Sequence, residues 1–112
     1  MPITTTNEYS FDKNTFTMED IANNLSDGWM FSHHIGITDN TAIEQEIHND
    51  IGSESIGDLF AYRMKGINIT YFCFWKRYEN GFDIFCRMYV NFDGSTSENG
   101  FKAWRKLTLT TI

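Results

Sequence analysis

The stretch FCFWKRYENGFDIFCRMYVNF (residues 72–92) decides the fold that this sequence predicts. Asn80-Gly81 in its middle is typical of a two-residue β-hairpin loop, because a type I′ turn needs positive φ at both central residues. The residues on either side alternate with the period of two that characterises a β-strand. The stretch therefore predicts an antiparallel ribbon with a central Asn-Gly hairpin.

This loop also predicts which residues face one another across the ribbon. Trp75 then lies opposite Cys86, and Cys73 lies opposite Met88. The two cysteines become diagonal neighbours, roughly 7–8 Å apart, which is beyond comfortable disulfide reach. We therefore expect two free thiols.

The two faces of the ribbon differ in composition, since successive side chains of a strand point to opposite sides. One face is nearly all apolar and is predicted to be core: Ile69, Tyr71, Cys73, Trp75, Ile84, Cys86, Met88, Val90 and Phe92. The other mixes rings with charges and is predicted to be an amphipathic surface: Thr70, Phe72, Phe74, Lys76, Tyr78, Asp83, Phe85, Arg87, Tyr89 and Asn91.

Helices and further strands are predicted on either side of the ribbon. A helix over 18–27 follows a Thr17 cap, and a second, acidic helix runs from the capping box Thr41–Glu44 to Gly52. Strands are predicted at 3–11, 29–37, 59–65 and 101–112, with a loop at 93–100. The sequence thus predicts one α+β domain, residues 1–112, with two short N-terminal helices packed on one face of an antiparallel sheet of four or more strands.

Charge is distributed unevenly along the chain. The net charge is −6, but residues 1–58 carry −10 and residues 59–112 carry +4. The N-terminus has neither a basic start nor an apolar run, and the apolar stretch Ile69 to Trp75 is far shorter than the roughly 20 residues of a membrane-spanning helix. We therefore expect a cytoplasmic protein without membrane association.

Catalytic and metal-binding signatures are not apparent in the sequence. His33 and His34 are adjacent on a predicted strand and point to opposite faces, which does not suit a zinc site. The predicted register buries both thiols among rings, whereas a nucleophilic cysteine needs an exposed, electropositive niche. We expect a protein that is not an enzyme and has no catalytic residues, metal or cofactor.

The acidic segment 38–58 suggests a protein-binding function. A negative surface of this kind steers a positively charged partner, and exposed rings at the hairpin tip would anchor it. In size and charge, though in no motif, the chain resembles immunity proteins of bacterial toxins and phage-encoded inhibitors. The predicted function is a non-catalytic inhibitor that neutralises a basic protein such as a toxin or nuclease. The predicted partner-binding residues are Asp39, Glu44, Glu46, Asp50, Glu54, Asp58, Tyr78 and Phe82.

Three alternatives remain open at this level. The first is a single-stranded nucleic-acid module, in which rings stack bases and cations hold phosphate, although the chain is acidic overall. Its residues would be Phe72, Phe74, Phe85 and Tyr89 with Lys76, Arg87, Lys102, Trp104 and Lys106. The second is a small-ligand pocket or enzyme near His33, and the third is self-association as a homodimer through an exposed sheet face.

Overall fold

The structure is a computed structural model that describes residues 12, 14–91, 100–108 and 110–112. These residues form an α+β fold of two helices and an antiparallel sheet. The elements in chain order are α1 (Met18–Asn24), β1 (Met30–Ile35), α2 (Ala42–Asp50), β2 (Gly57–Arg63), β3 (Ile69–Tyr78), β4 (Gly81–Val90), β5 (Gly100–Phe101) and β6 (Arg105–Leu107). The strand predicted at 3–11 and nearly all of the loop predicted at 93–100 lie outside the described residues. Within the described ranges, no helix has the length and apolarity needed to cross a membrane.

The sheet follows the order of the chain, β1-β2-β3-β4-β5, and β6 also pairs with β4. The single last strand predicted at 101–112 is therefore two short strands. β5 pairs with Tyr89 and Val90, whereas β6 pairs with the segment from Ile84 to Cys86. Both strands thus share one edge of β4, beyond which the sheet ends in the described chain.

Capping boxes start both helices. The Thr17 hydroxyl accepts a bond from the Asp20 amide and the Asp20 carboxylate accepts one from the Thr17 amide, and Thr41 and Glu44 repeat this arrangement. Each box satisfies amide groups that have no partner within the helix. α1 ends at Asn24, three residues earlier than the sequence predicts, because Leu25 takes an extended backbone.

Both helices pack on the same face of the sheet. Their apolar stripes meet the fully buried rings of Phe72 and Phe74, together with Leu59 and Ala61. The buried cluster consists of Phe16, Met18, Ile21, Ala22, Leu25, Ile35, Ile43, Ile47, Leu59, Ala61, Phe72 and Phe74. The helices therefore cover one side of the sheet and leave the other side without a helix.

The predicted assignment of the two ribbon faces is wrong: the mixed face lies under the helices. The rings of Phe72 and Phe74 on this face are fully buried in the core, and its buried polar residues Thr70 and Asn91 are hydrogen-bonded. Asn91 accepts a bond from the Thr70 hydroxyl at 3.0 Å and donates one to the Ala22 carbonyl at 2.8 Å. Such bonds offset the cost of burying polar groups. The nearly all-apolar face, including the exposed Trp75, is the uncovered one.

The predicted hairpin register is also wrong. Tyr78 pairs with Gly81, so the two loop residues are Glu79 and Asn80. Gly81 closes the ladder with φ +155°, a conformation that glycine adopts without steric cost. The shift moves each pairing by two residues, which leaves every side chain on its predicted face but brings Cys73 directly opposite Cys86.

Candidate functional site

The side of the sheet that faces away from the helices is the candidate functional site, and we call it the open face. Register and strand alternation assign its members. They are Met30, Ser32 and His34 of β1; Asp58, Phe60 and Tyr62 of β2; Ile69, Tyr71, Cys73, Trp75 and Arg77 of β3; Phe82, Ile84, Cys86, Met88 and Val90 of β4; and Arg105 and Leu107 of β6. Its centre contains rings, sulfur atoms and aliphatic groups.

Large apolar side chains of the open face are in contact with solvent. Met30 is 66% exposed, Trp75 41% and Phe82 44%, and the two rings stack at a centroid distance of 4.9 Å. Phe60 meets the Trp75 ring edge-on at 6.2 Å. The rings therefore support one another in fixed positions while each keeps a surface free for contact.

Two shallow grooves lie on the open face, on either side of Tyr71. The first, of about 290 Å³, is lined by apolar side chains that include Met30, Phe60 and Trp75. The second, of about 520 Å³, runs past Met88 to the cationic side chains of Lys102 and Arg105. The grooves are depressions in the open face that side chains of another protein can occupy.

The charged groups of the open face lie at its edges. At the β1–β2 edge, His34 Nδ1 lies 3.3 Å from Asp58 Oδ1. At the opposite edge, β6 carries the exposed Arg105, and Arg77 is exposed near the hairpin. A carboxylate and an arginine thus occupy opposite edges of an apolar surface.

Of the six acidic residues predicted to bind a partner, two accept hydrogen bonds from backbone amides of this chain. Glu44 is only 3% exposed and accepts bonds from the Gly36 amide at 2.7 Å and the Thr41 amide at 3.1 Å. Burial by itself raises the pKa of Glu44, but these bonds outweigh burial and lower the pKa below its ordinary value. Glu46 accepts a bond from the Met18 amide at 2.8 Å, and burial raises its pKa.

The other four acids are divided between paired and exposed positions. Asp50 accepts bonds from Arg87 Nη1 at 3.3 Å and Trp104 Nε1 at 3.0 Å. Asp58 lies beside His34 on the open face. Asp39 and Glu54 are exposed in loops that flank α2. The structure thus does not gather the six carboxylates into one patch.

The two rings predicted at the hairpin tip are both exposed, but they lie on opposite faces. Phe82 stacks on Trp75 and belongs to the open face. The Tyr78 hydroxyl donates a hydrogen bond to Asp83 at 2.7 Å, and Lys76 Nζ lies 5.3 Å from the Tyr78 ring centroid. Only Phe82 can therefore act together with the rings of the open face.

Three of the residues named for the nucleic-acid alternative, Phe72, Phe74 and Arg87, lie on the helix side of the sheet. Phe72 and Phe74 are fully buried, so neither ring can stack a base. Arg87 lies between the rings of Phe101 and Trp104, with its guanidinium carbon 4.3 Å and 5.0 Å from their centroids. Phe72, Phe74 and Arg87 are therefore part of the core and its rim rather than of an exposed surface.

The residues named for a pocket or metal site are also engaged. His33 contacts the Phe16 ring edge-on at 5.0 Å, and burial lowers its pKa. Within the ranges that the structure describes, no group of three or more His, Cys, Asp or Glu side chains could hold a metal ion. His33 is therefore packed against aromatic side chains.

The two thiols are the feature that the predicted register missed. Cys73 and Cys86 are free, and their sulfur atoms lie 3.4 Å apart. Burial and the bond to Cys73 raise the pKa of Cys86 to about 12. If the predicted hairpin had Tyr78 paired with Gly81, so that the glycine lay in the strand ladder and not in the loop, the sequence would predict these two thiols directly opposite each other.

Comparison of the chain with protein-family models, with curated proteins and with solved structures finds no match in any of the three. The arguments about function that follow therefore rest on the geometry and charge of the described residues.

Proposed function

We propose that this chain is a non-catalytic protein-binding domain that pairs with a second copy of itself through the open face. The observation that supports the proposal is the uncovered apolar surface of the sheet, on which Met30, Trp75 and Phe82 are well exposed. Contiguous apolar patches on this scale mark interaction sites in soluble proteins. Exposed aromatic residues are also the side chains that contribute most binding energy at interfaces.

The area of the open face suits a dimer. β3 and β4 have ten residues each, which at about 3.3 Å per residue gives roughly 33 Å of length. Five neighbouring strand positions at about 4.8 Å span roughly 24 Å. Because β1 and β2 are shorter, the face covers on the order of 600–800 Å², close to the roughly 800 Å² that each partner contributes to a standard interface.

The charges at the edges of the open face favour a symmetric partner. A two-fold axis parallel to the strands, between β3 and β4, places the β2 edge of one copy against the β6 edge of the other. Asp58 of each copy then lies near Arg105 of the other. This contact occurs twice, once at each edge, because the interface uses the same surface on both copies. The apolar centres meet as in a β-sandwich, in which sheets pack about 10 Å apart.

The experiment compares the wild-type chain with Asp58→Arg and Arg105→Asp by sedimentation equilibrium. We expect a wild-type dimer and a dissociation constant raised at least tenfold in each variant, since each places like charges together in a desolvated interface. Lys65→Asp, which also reverses an exposed positive charge but lies in the turn after β2, outside the open face, is the matched control and should weaken pairing less. A monomeric wild-type chain would overturn the proposal.

A second candidate function, an acidic inhibitor of a basic protein, is favoured by the exposure of Asp39 and Glu54 beside α2. No ion pair engages these two carboxylates within the described chain, whereas Arg87 and Lys106 pair with acids. In the proposed dimer the helix layers face outward, so both copies would present these acids to solvent. A negative surface of this kind accelerates association with a basic partner.

The test of the second candidate measures the association rate with a basic nuclease at low and high ionic strength. Asp39→Lys and Glu54→Lys should each slow association and reduce its salt dependence. Glu79→Lys, an exposed acid in the hairpin loop, is the control of equal charge change. Equal effects of all three variants would show a dependence on net charge alone and would remove the acidic surface beside α2 as the binding site.

A further inference from the structure

Cys73 and Cys86 form a close pair at the centre of the open face. They are directly opposed on β3 and β4, and the Cys86 thiol donates a hydrogen bond to the Cys73 sulfur at 3.4 Å. Two sulfur atoms at this distance need only small side-chain rotations to reach the roughly 2.0 Å of a disulfide bond.

The backbone at this position is suited to such a bond. The Asn91 amide donates to the Asn68 carbonyl, so these two opposed residues form a hydrogen-bonded pair of the ladder. Hydrogen-bonded and non-hydrogen-bonded pairs alternate along antiparallel strands, which makes Cys73 and Cys86, five positions along, a non-hydrogen-bonded pair. The Cα atoms of such a pair lie about 4.5 Å apart, within the range of about 4.4–6.8 Å that disulfides span.

In the unpaired chain, both thiols can be reached from solvent. Cys73 lines the first groove of the open face, beside Trp75, and Cys86 lines the second, beside Met88. Each cysteine is half-buried. A small reagent therefore has access to this pair without any opening of the helix-covered core.

We infer that Cys73 and Cys86 are a reversible modification site, at which a low-molecular-weight disulfide such as oxidised glutathione converts the two thiols into one intrachain disulfide. The co-reactant, written RS–SR, is reduced to two RSH molecules while the chain loses two hydrogen atoms. The inference goes beyond the proposed pairing and depends only on the geometry of the two thiols within one chain.

The exchange has two balanced steps. One of the two cysteines, as its thiolate, first attacks one sulfur of RS–SR, which breaks the RS–SR bond, releases RS⁻ and leaves RS attached to that cysteine. The other cysteine, whose sulfur lies 3.4 Å away, then loses its proton to water or buffer and attacks the protein sulfur of this mixed disulfide, which forms the intrachain bond and releases the second RS⁻.

The experiment incubates the chain with oxidised glutathione, blocks the remaining thiols with an alkylating reagent and measures intact mass. It uses the Asp58→Arg variant, which keeps both cysteines and is designed not to pair, so that failure of the proposed dimer does not affect the readout. We expect a monomer that has lost two hydrogen atoms and carries neither glutathione nor alkylating reagent. The same background with Cys86→Ser should hold one glutathione on Cys73, and the background with Cys73→Ser should hold one glutathione on Cys86.

Several outcomes would overturn the inference. They are a chain with a glutathione on each cysteine and no internal bond, a chain-to-chain disulfide, and a chain whose two thiols both remain open to alkylation under conditions that modify the Cys86→Ser variant. A chain in which none of the three variants reacts would also contradict it, because the grooves would then not admit the reagent. Circular dichroism of each variant shows whether the fold is retained.

Discussion

Tyr62 lies directly opposite Tyr71 across β2 and β3, and both rings are on the side of the sheet that no helix covers. Cross-strand aromatic neighbours on an exposed sheet face form a continuous apolar surface. This pair occupies one row of the open face together with Met30 and Met88. Its position supports the proposal that this surface binds protein.

Replacing Tyr71 by arginine should disrupt pairing without disrupting the fold. Tyr71 is 39% exposed, so the arginine head can reach water in the monomer, whereas in the dimer it would be desolvated near its symmetry mate. We expect the dissociation constant of the dimer to rise at least tenfold by sedimentation equilibrium. Ile37→Arg, an exposed apolar residue in the loop after β1, is the control with the same charge change. Equal weakening by both variants would contradict a role of the open face.

Gly57 should be the least replaceable glycine of the described chain. It has φ +157°, and a Cβ atom added there would collide with the carbonyl oxygen of Trp75 on the neighbouring strand. We expect Gly57→Ala to separate β2 from β3 locally and to lower the free energy of unfolding by roughly 2–4 kcal/mol. Gly66→Ala, with φ +85° but open space around the added carbon, should cost only about 1 kcal/mol. Urea denaturation of the two variants measures both values, and equal losses would refute the steric argument.

The pH dependence of stability should separate Glu44 from Glu46. The pKa of Glu44 is lowered by folding, so the unfolded chain binds its proton more tightly and the stability from Glu44 is lost as pH falls below about its ordinary pKa of 4.5. The pKa of Glu46 is raised by folding, so its contribution has the opposite sign, and stability decreases as pH rises from 4.5 through the folded pKa.

Glu44→Gln and Glu46→Gln should therefore change the slope of unfolding free energy against pH in opposite directions. Denaturant titrations between about pH 3 and pH 6 measure both slopes. Glu44→Gln should in addition lose about 1–3 kcal/mol near neutral pH, because the Gly36 and Thr41 amides lose a charged acceptor. Glu54→Gln, at an exposed position, is the control. It should leave the slope unchanged and alter the free energy of unfolding by no more than about 0.5 kcal/mol. Slopes that change in the same direction would contradict the assigned roles.

Arg87 should fasten the segment after β5 to the sheet. Its guanidinium donates to the Lys102 carbonyl at 2.9 Å and to Asp50, and lies against the ring of Trp104. Arg87→Leu should therefore lower the free energy of unfolding by roughly 2–4 kcal/mol and change the Trp104 environment, as measured by urea denaturation and tryptophan fluorescence. Lys65→Leu, which removes an exposed cation in the turn after β2 and off the open face, is the control for stability. An unaltered fluorescence spectrum in Arg87→Leu would contradict this role.

The antiparallel sheet of the α+β fold could be predicted from the sequence, because strand alternation is a local signal. The face of the ribbon that is buried could not, since that choice depends on where the helices pack. Asn91 and Thr70 look like surface residues in the sequence, yet they satisfy each other inside the fold. The hairpin register could not be predicted either, because Gly81 pairs with Tyr78 in the strand ladder instead of lying in the loop.

The residues of the candidate site could likewise be predicted only in part, because their roles depend on contacts between distant parts of the chain. A run of carboxylates signals charge, but the sequence does not show which of them are used inside the fold. Glu44 serves as the third residue of a capping box and also bonds the Gly36 amide, a contact eight residues away. Asp50 is bonded by Trp104, which is far along the chain. The open face in turn was assigned to the core because its residues are apolar.

The central claim is that two copies pair through the open face with Asp58 of one near Arg105 of the other. The most direct measurement mixes equal amounts of the Asp58→Arg and Arg105→Asp variants and determines the mass in solution by sedimentation equilibrium. Each variant alone should be monomeric at roughly 10 µM, while the mixture should form a heterodimer, because both edge contacts then join opposite charges. A mixture that remains monomeric, while the wild-type chain forms dimers, would contradict this arrangement of the two copies.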